Sequence, residues 1–412
     1  MRASIRHSIM MVLGTALAAP VHAQTPLLLS TAGASLALSH GIEALSANPA
    51  HLGMPQTTWV QMRVVGVGAG VHTNGLGFDD YRKYNGATLN DDDKSDILSQ
   101  VPDAGLSLWS EGSATALSLR AGSWGLAASG LGSARGNLDR EAIDLILHGN
   151  ADQPEWIFEN SEGDGLASWQ VALSHGRQLF TLNGGPVFAG LSAAYVRGLY
   201  LASADQVRAD IATQTTGLTG DASAEWITAT GGTGLGVDAG LAWQARPNLL
   251  FSFSAAHLYH TINWDSEVER TRYELTFNDV TVDNFEDSLW SSEEFTESLE
   301  SFSDGLPAHL RLGAGLTSGS TRYALEGSVW TRDRFAASTK PQLSAALEHT
   351  LGQSLPLRIG ASIGGRSEFA IGCGAGLHFG GFMWDIGIRI DRALWIGNGS
   401  GLSAATAIDL AI

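Results

Sequence analysis

The feature that most constrains the fold is a strict alternation of apolar with small or polar side chains, repeated in segments of about ten residues up to the C-terminus. In residues 384–391 (WDIGIRID), Trp and Ile alternate with Asp, Gly and Arg. Successive side chains of a β-strand point to opposite faces of the sheet, so such a segment has one apolar and one polar face. The chain is therefore predicted to consist mainly of two-faced strands.

The polar face of these segments distinguishes a membrane protein from a soluble one. In residues 355–363 and 369–379 that face carries mostly Gly, Ala and Ser with an occasional charge. A soluble sandwich, the alternative, would load it with Lys, Glu and Thr, whereas a transmembrane barrel turns its apolar face to lipid and its small, polar face to the lumen. We therefore predict an all-β fold, a transmembrane antiparallel β-barrel.

The number of strands and the lengths of their connections give the barrel's size and orientation. Alternating segments lie near residues 57–73, 105–118, 121–133, 168–180, 186–203, 232–245, 248–263, 308–317, 320–333, 340–350, 355–364, 368–379, 381–392 and 402–412, about fourteen strands in all. Connections after even-numbered strands are short, and those after odd-numbered strands are mostly long, including 204–231 and 264–307. Short turns are typical of the periplasmic side, so the long loops are predicted to lie outside the cell.

The N-terminus predicts export. Arg2 and Arg6 precede a short apolar run, and Val21 and Ala23 occupy the −3 and −1 positions of a cleavage site. We predict three regions: a signal peptide at 1–23, an N-terminal segment at 24–56 and the transmembrane barrel at 57–412. With the strand pattern, the leader indicates the bacterial cell outer membrane as the location, and outer-membrane lipid as the surroundings.

The segment 24–56 lacks alternation and is rich in Ala, Ser and Gly. A structureless stretch of this length is unusual in a compact protein, and a barrel of about fourteen strands has a lumen too wide for side chains alone to fill. Our hypothesis is a lumenal plug, in which Asn48, Pro49 and Ala50 form a fixed elbow leading into strand 1. The alternative is an ordinary N-terminal turn.

Three of the long connections contain helix-like stretches, which predict short helices in extracellular loops. Residues 90–101 and 137–150 are two of them, with Asn137 as N-cap and Gly149 as stop in the second. In residues 283–302, apolar side chains recur near helical spacing. They are candidates for a groove that binds an apolar ligand: Phe285, Leu289, Trp290, Phe295, Leu299 and Phe302. The alternative is that these faces only close the barrel mouth.

The sequence contains no motif for catalysis or metal binding. Its one G-x-S-x-G string, residues 360–364, lies within the alternating segment 355–364 and not at a strand-to-helix elbow. With no H-E-x-x-H and a single Cys, we expect no enzyme activity, no metal and no cofactor. The net charge of −18 at pH 7 argues against nucleic acid as a partner.

The order of segments resembles the FadL-type outer-membrane transporters. The resemblance covers a leader, the Ala/Ser-rich stretch STAGASLALSHGIEALSANPAHLG and about fourteen strands, while only Asn48, Pro49 and Ala50 match a family motif residue by residue. The segments DDDKSDILSQVPDAGLSLW, GNLDREAIDLILHGN and GTGLGVDAGLAW are similar to an uncharacterised branch of that superfamily. The chain ends in Ile412, where outer-membrane barrels commonly end in an aromatic residue.

The resemblance implies a channel for passive uptake of small hydrophobic compounds, which bind a loop groove and pass an N-terminal hatch. A hydrophobic small molecule is then the expected ligand. Related barrels of the PorV type serve secretion instead. The alternative is therefore a structural or secretion-accessory barrel that binds a secretion or envelope protein.

Overall fold

The computed structural model describes residues 24–150, 155–281 and 290–412. In this part of the chain, sixteen strands form one antiparallel sheet. The strands are β1 Val60–Thr73, β2 Leu106–Ala121, β3 Trp124–Leu138, β4 Glu155–Leu182, β5 Gly185–Gln214, β6 Gly217–Arg246, β7 Leu249–Val280, β8 Trp290–Ser298, β9 Phe302–Asp304, β10 His309–Ser318, β11 Thr321–Trp330, β12 Gln342–Leu351, β13 Leu355–Gly364, β14 Glu368–Phe379, β15 Phe382–Asp391 and β16 Gly401–Ala411.

Fourteen of these strands close into a ring, which confirms the predicted barrel. Each of β1–β7 and β10–β16 pairs with its neighbour in sequence, β1 pairs with β16, and β7 pairs with β10. The last seam joins His309 to Ala256 and runs to Leu316 and Leu249. Strands β8 and β9 pair only with β7 and lie off the ring.

The two faces of the wall have the inverted polarity expected of a membrane barrel. On β13, Ile359 is 60% exposed while its neighbour Arg358 is 8% exposed. On β10, Leu312 is 63% exposed while Arg311 is 2% exposed. The apolar face therefore points outward and the charged face inward, as lipid on the outside requires.

Strands β4–β7 are far longer than predicted, and they correct the assignment of 204–231 and 264–307 as loops. Each has 28 to 32 residues, against 10 to 16 in the other ring strands. The β5–β6 hairpin continues to a turn after Gln214, and β7 continues to Val280. These strands therefore project beyond the rest of the ring at the long-loop end.

The helices are short and are not part of the wall: α1 Pro26–Ser30, α2 Ala44–Ala47, α3 Phe78–Tyr84, α4 Asp91–Gln100 and α5 Arg140–His148. Two 3₁₀ turns, Gly41–Glu43 and Pro49–Gly53, complete the set. Among the described residues, no helix has the length and apolarity needed to cross a membrane.

Two of the three predicted loop helices are present, as α4 and α5. Asn90 is the N-cap of helix α4, and its side-chain oxygen accepts from the N–H of Asp93. Helix α5 ends at Gly149 as predicted, but its N-cap is Asp139, because Asn137 belongs to the end of β3.

The third predicted helix, in residues 283–302, is wrong where the structure describes it. Residues 290–298 form β8, because they pair with the projecting end of β7, for example Phe295 with Arg272. Residues 282–289 lie outside the described part of the chain.

Candidate functional site

The N-terminal segment, residues 24–56, packs against the inner face of the ring from one side to the other. Helix α1 contacts β13–β16, and the turn Pro49–Gly53 contacts β4–β6. Its apolar side chains are almost entirely buried, including Leu36, Leu38 and Leu52. The segment therefore occupies the lumen and joins opposite walls.

Asn48 fastens this segment to two strands. Its Nδ2 donates to the carbonyl oxygens of Leu241 on β6 and Phe253 on β7, both at 3.1 Å, and its Oδ1 accepts from the N–H of Ala50 at 2.9 Å. Asn48 is extended, and Pro49 begins the 3₁₀ turn, where its missing N–H costs nothing. One fully buried amide thus satisfies three backbone groups.

Glycines on the inward face of the wall make room for this contact. A Cβ on Gly240 would lie 1.8 Å from the Asn48 Oδ1, and a Cβ on Gly190 would lie 2.2 Å from the Pro49 carbonyl carbon. No side chain fits at either position. Glycine at these two positions of the polar face therefore has a steric cause, which is the close approach of Asn48 and Pro49.

His51 also anchors the segment, although no sequence motif indicates this role. Its Nδ1 donates to the Ser39 carbonyl at 3.0 Å, and its Nε2 accepts from the Ser252 hydroxyl at 2.9 Å. Burial lowers the pKa of His51 to about 4, and the neighbouring His40 and Arg311 act in the same direction. The ring is therefore neutral at pH 7 and links the segment to β7.

Buried ion pairs fix the middle of the segment to the wall. Arg311 Nε lies 2.6 Å from Glu326 Oε1, and Arg311 also donates to Ser35 Oγ at 2.7 Å. Glu326 Oε2 accepts from the N–H of Leu36 at 2.8 Å. Desolvated charges of this kind are tolerated only when paired and hydrogen-bonded, and here the segment supplies part of that pairing.

A second ion pair binds the segment from the opposite side of the lumen. Arg63 on β1 pairs with Asp409 on β16 at 2.7 Å and with Glu43 of the segment at 2.6 Å. The two wall residues are 346 positions apart in sequence. No local motif could have revealed this contact.

Two cavities lie on either side of the segment. One of about 120 Å³ at the long-loop end is lined by Leu28 and Gly33 of the segment together with Ala336 and Ala337. Another of about 260 Å³ at the short-turn end is lined by Met54, Asn248 and others. The two cavities thus lie on opposite sides of the segment.

The six predicted groove residues do not form one helical face. Phe285 and Leu289 fall in the undescribed residues, and Trp290 begins β8. Phe295 is 52% exposed on β8, whereas Leu299 and Phe302 pack against a buried apolar cluster inside the barrel.

The described residues contain no group of three or more His, Cys, Asp or Glu side chains arranged to hold a metal ion. His72 Nδ1 lies 2.6 Å from Asp391 and its Nε2 lies 3.2 Å from Ser403 Oγ, which is the atom order of a hydrolase triad. Ser403 is buried, with only 1% of its surface exposed, and a Glu111 carboxylate oxygen also lies 3.6 Å from His72 Nε2. We assign this group to the network of charges that lines the lumen.

Solved structures with the same fold include two toluene transporters. The toluene transporter TbuX of Ralstonia pickettii matches with a TM-score of 0.53 at 13% identity, covering 95% of this chain and 99% of that chain. The toluene transporter TodX of P. putida matches with a TM-score of 0.50 at 11% identity and the same coverage. At these identities the similarity establishes the fold, and it confirms the resemblance to the FadL type at that level.

No curated protein sequence matches the chain. A family model matches residues 49–388, which include the end of the Asn-Pro-Ala motif and most of the barrel. The chain belongs to the family of unknown function DUF5723.

Proposed function

We propose that the protein is a channel of the bacterial outer membrane for passive uptake of small hydrophobic compounds, and that residues 24–56 are its plug. The observation that carries the proposal is a buried segment that joins opposite walls of a fourteen-stranded barrel and has a cavity on either side. The solved structures with this fold include transporters of toluene. In this proposal residues 1–23 are removed as a signal peptide.

A loop groove at the long-loop end is the proposed entry site. Phe295 offers an exposed aromatic ring there, and Leu299 and Phe302, a few residues further along the chain, pack against the apolar cluster inside the barrel. Selectivity would come from apolar contact without any chemical step.

The test is uptake of radiolabelled toluene by vesicles whose outer leaflet is lipopolysaccharide, because that leaflet is the barrier to apolar solutes. Vesicles with the protein should take up toluene faster than empty vesicles, and replacing both Phe295 and Leu299 by Asp should reduce the rate. Replacing the exposed wall residue Leu351 by Ala is the matched control. Equal rates with and without the protein would contradict transport.

The projecting strands favour a second candidate, a barrel that binds a secreted or envelope protein. Strand β8 pairs with β7 along one edge, and its residues 291–298 are all exposed, including Glu293, Glu294 and Glu297. An exposed strand edge is a template for pairing with another chain. A protein recovered in equal amount with the barrel from outer membranes, and lost when β8 is deleted, would support this candidate.

A further inference from the structure

The connection between β11 and β12, residues 331–341, folds into the barrel. The N–H of Phe335 donates to Asp164 Oδ1 on β4, and the N–H of Ala336 donates to Ser133 Oγ on β3 at 2.9 Å. Strands β3 and β4 lie on the far side of the ring from β11 and β12. This inward loop therefore crosses the lumen at the long-loop end, beyond the N-terminal segment.

The loop inserts one aromatic ring into an apolar chamber. Phe335 is fully buried and belongs to a cluster with side chains of five strands, β3 to β7. They include Leu131, Leu166, Val196, Ile262 and Trp264. The chamber is closely fitted, since a Cβ on Gly198 would lie 2.6 Å from the Trp264 ring.

Several features make this ring removable without unfolding the wall. Phe335 has a φ of +55°, a conformation that bulky residues rarely adopt, so the polar contacts around it hold it in place against strain. Residues 331–341 contribute no strand to the sheet. The cavity of about 120 Å³ borders the loop at Ala336 and Ala337 and gives it space to move.

One polar group of the chamber lacks a partner. The indole Nε1 of Trp264 is buried and has no hydrogen-bond partner among the described residues. A buried donor without an acceptor is costly, and an aromatic ring face or a weak acceptor on a ligand would reduce that cost.

We propose that the chamber occupied by Phe335 is a binding site for an uncharged, apolar compound about the size of one ring, and that Phe335 is the side chain which this compound displaces. Apolar cavities of side-chain size in proteins stay dry and accept such rings. The inference rests on the proposed function, whose substrate class it narrows. It makes the inward loop a second barrier in series with the N-terminal segment.

The test measures binding of bromobenzene, whose heavy atom quenches tryptophan fluorescence, to the full-length protein in one detergent. The Trp264→Phe variant provides the background to subtract. Phe335→Ala should bind bromobenzene at least about tenfold more tightly than the wild type, because the competing ring is gone. Phe180→Ala, which removes a half-exposed ring from the outer wall, should bind like the wild type.

A second variant keeps Phe335 and locks the loop. A disulfide between Ser133→Cys and Ala336→Cys should weaken bromobenzene binding at least about tenfold, and reduction should restore it. Equal affinities in the wild type, Phe335→Ala and the oxidised lock would overturn the inference. If the bromobenzene affinities follow these expectations but vesicles with the protein take up no toluene, only the proposed transport would be overturned.

Discussion

At Asn48, one side chain decides how the N-terminal segment sits in the barrel. Its amide bonds to the carbonyls of β6 and β7, and this contact exists only because residue 240 has no Cβ. The role of Asn48 in a fixed elbow could be predicted from the sequence, because Asn-Pro-Ala is a local motif. Its partners could not, since Leu241 and Phe253 contribute backbone atoms that carry no sequence signal.

Gly240→Ala should dislodge the segment. Because the new methyl group would overlap the Asn48 Oδ1, we expect a loss of about 1–3 kcal/mol in the free energy of unfolding, together with faster proteolysis of residues 24–56. Urea titration and protease digestion in detergent measure both. Gly327→Ala is the matched control, because no atom lies within 4 Å of its Cβ position. Equal behaviour of the two variants would show that the close contact is absent in solution.

His51 should make the seating of the segment depend on pH. The folded-state pKa of about 4 lies below the ordinary value of 6.5, so the unfolded chain takes up the proton first as the pH falls. The contribution of neutral His51 to the free energy of unfolding is complete above about pH 6.5. It declines towards pH 4, by at most about 1.4 kcal/mol per pH unit. Thermal unfolding of the wild type and His51→Gln across this range isolates the effect. A pH dependence identical in both proteins would contradict it.

At the scale of elements, the ring strands follow directly from the alternation, and β13–β15 lie where the sequence predicts them. The projecting parts of β4–β7 do not, because bulges interrupt the alternation there, for example between Ala204 and Gln206 and between Thr228 and Thr230. The acid-rich composition of these parts also resembles a loop. The inward course of residues 331–341 had no local signal either, since its partners lie on β3 and β4.

The buried pair of Arg311 and Glu326 ties the segment to β10 and β11, and its loss should be costly. Glu326→Ala leaves a buried guanidinium without its carboxylate and the N–H of Leu36 without its acceptor. We expect a loss of about 3–5 kcal/mol in the free energy of unfolding, measured by urea titration. Glu368→Ala breaks an exposed pair with Arg392 and should cost at most about 1 kcal/mol. Comparable losses in both variants would refute the assigned role.

For the whole molecule, the barrel combines an apolar exterior with an interior that two separate pieces of chain occupy. The N-terminal segment enters from the short-turn end and spans the lumen, and the inward loop crosses it nearer the long-loop end. Composition and alternation predict the barrel and require something inside it. They do not specify which strands the segment contacts, because the ion pairs and glycine contacts that fix it join residues far apart in the chain.

Single-channel conductance of a variant lacking residues 24–47 tests the central claim, that the N-terminal segment closes the barrel. The deletion keeps Asn48 and the barrel but removes α1, α2 and the residues that pair with Arg63 and Arg311. We predict that the wild type is closed in planar bilayers, and that the variant forms long-lived open pores while remaining a folded barrel. A folded variant with the conductance of the wild type would contradict the claim.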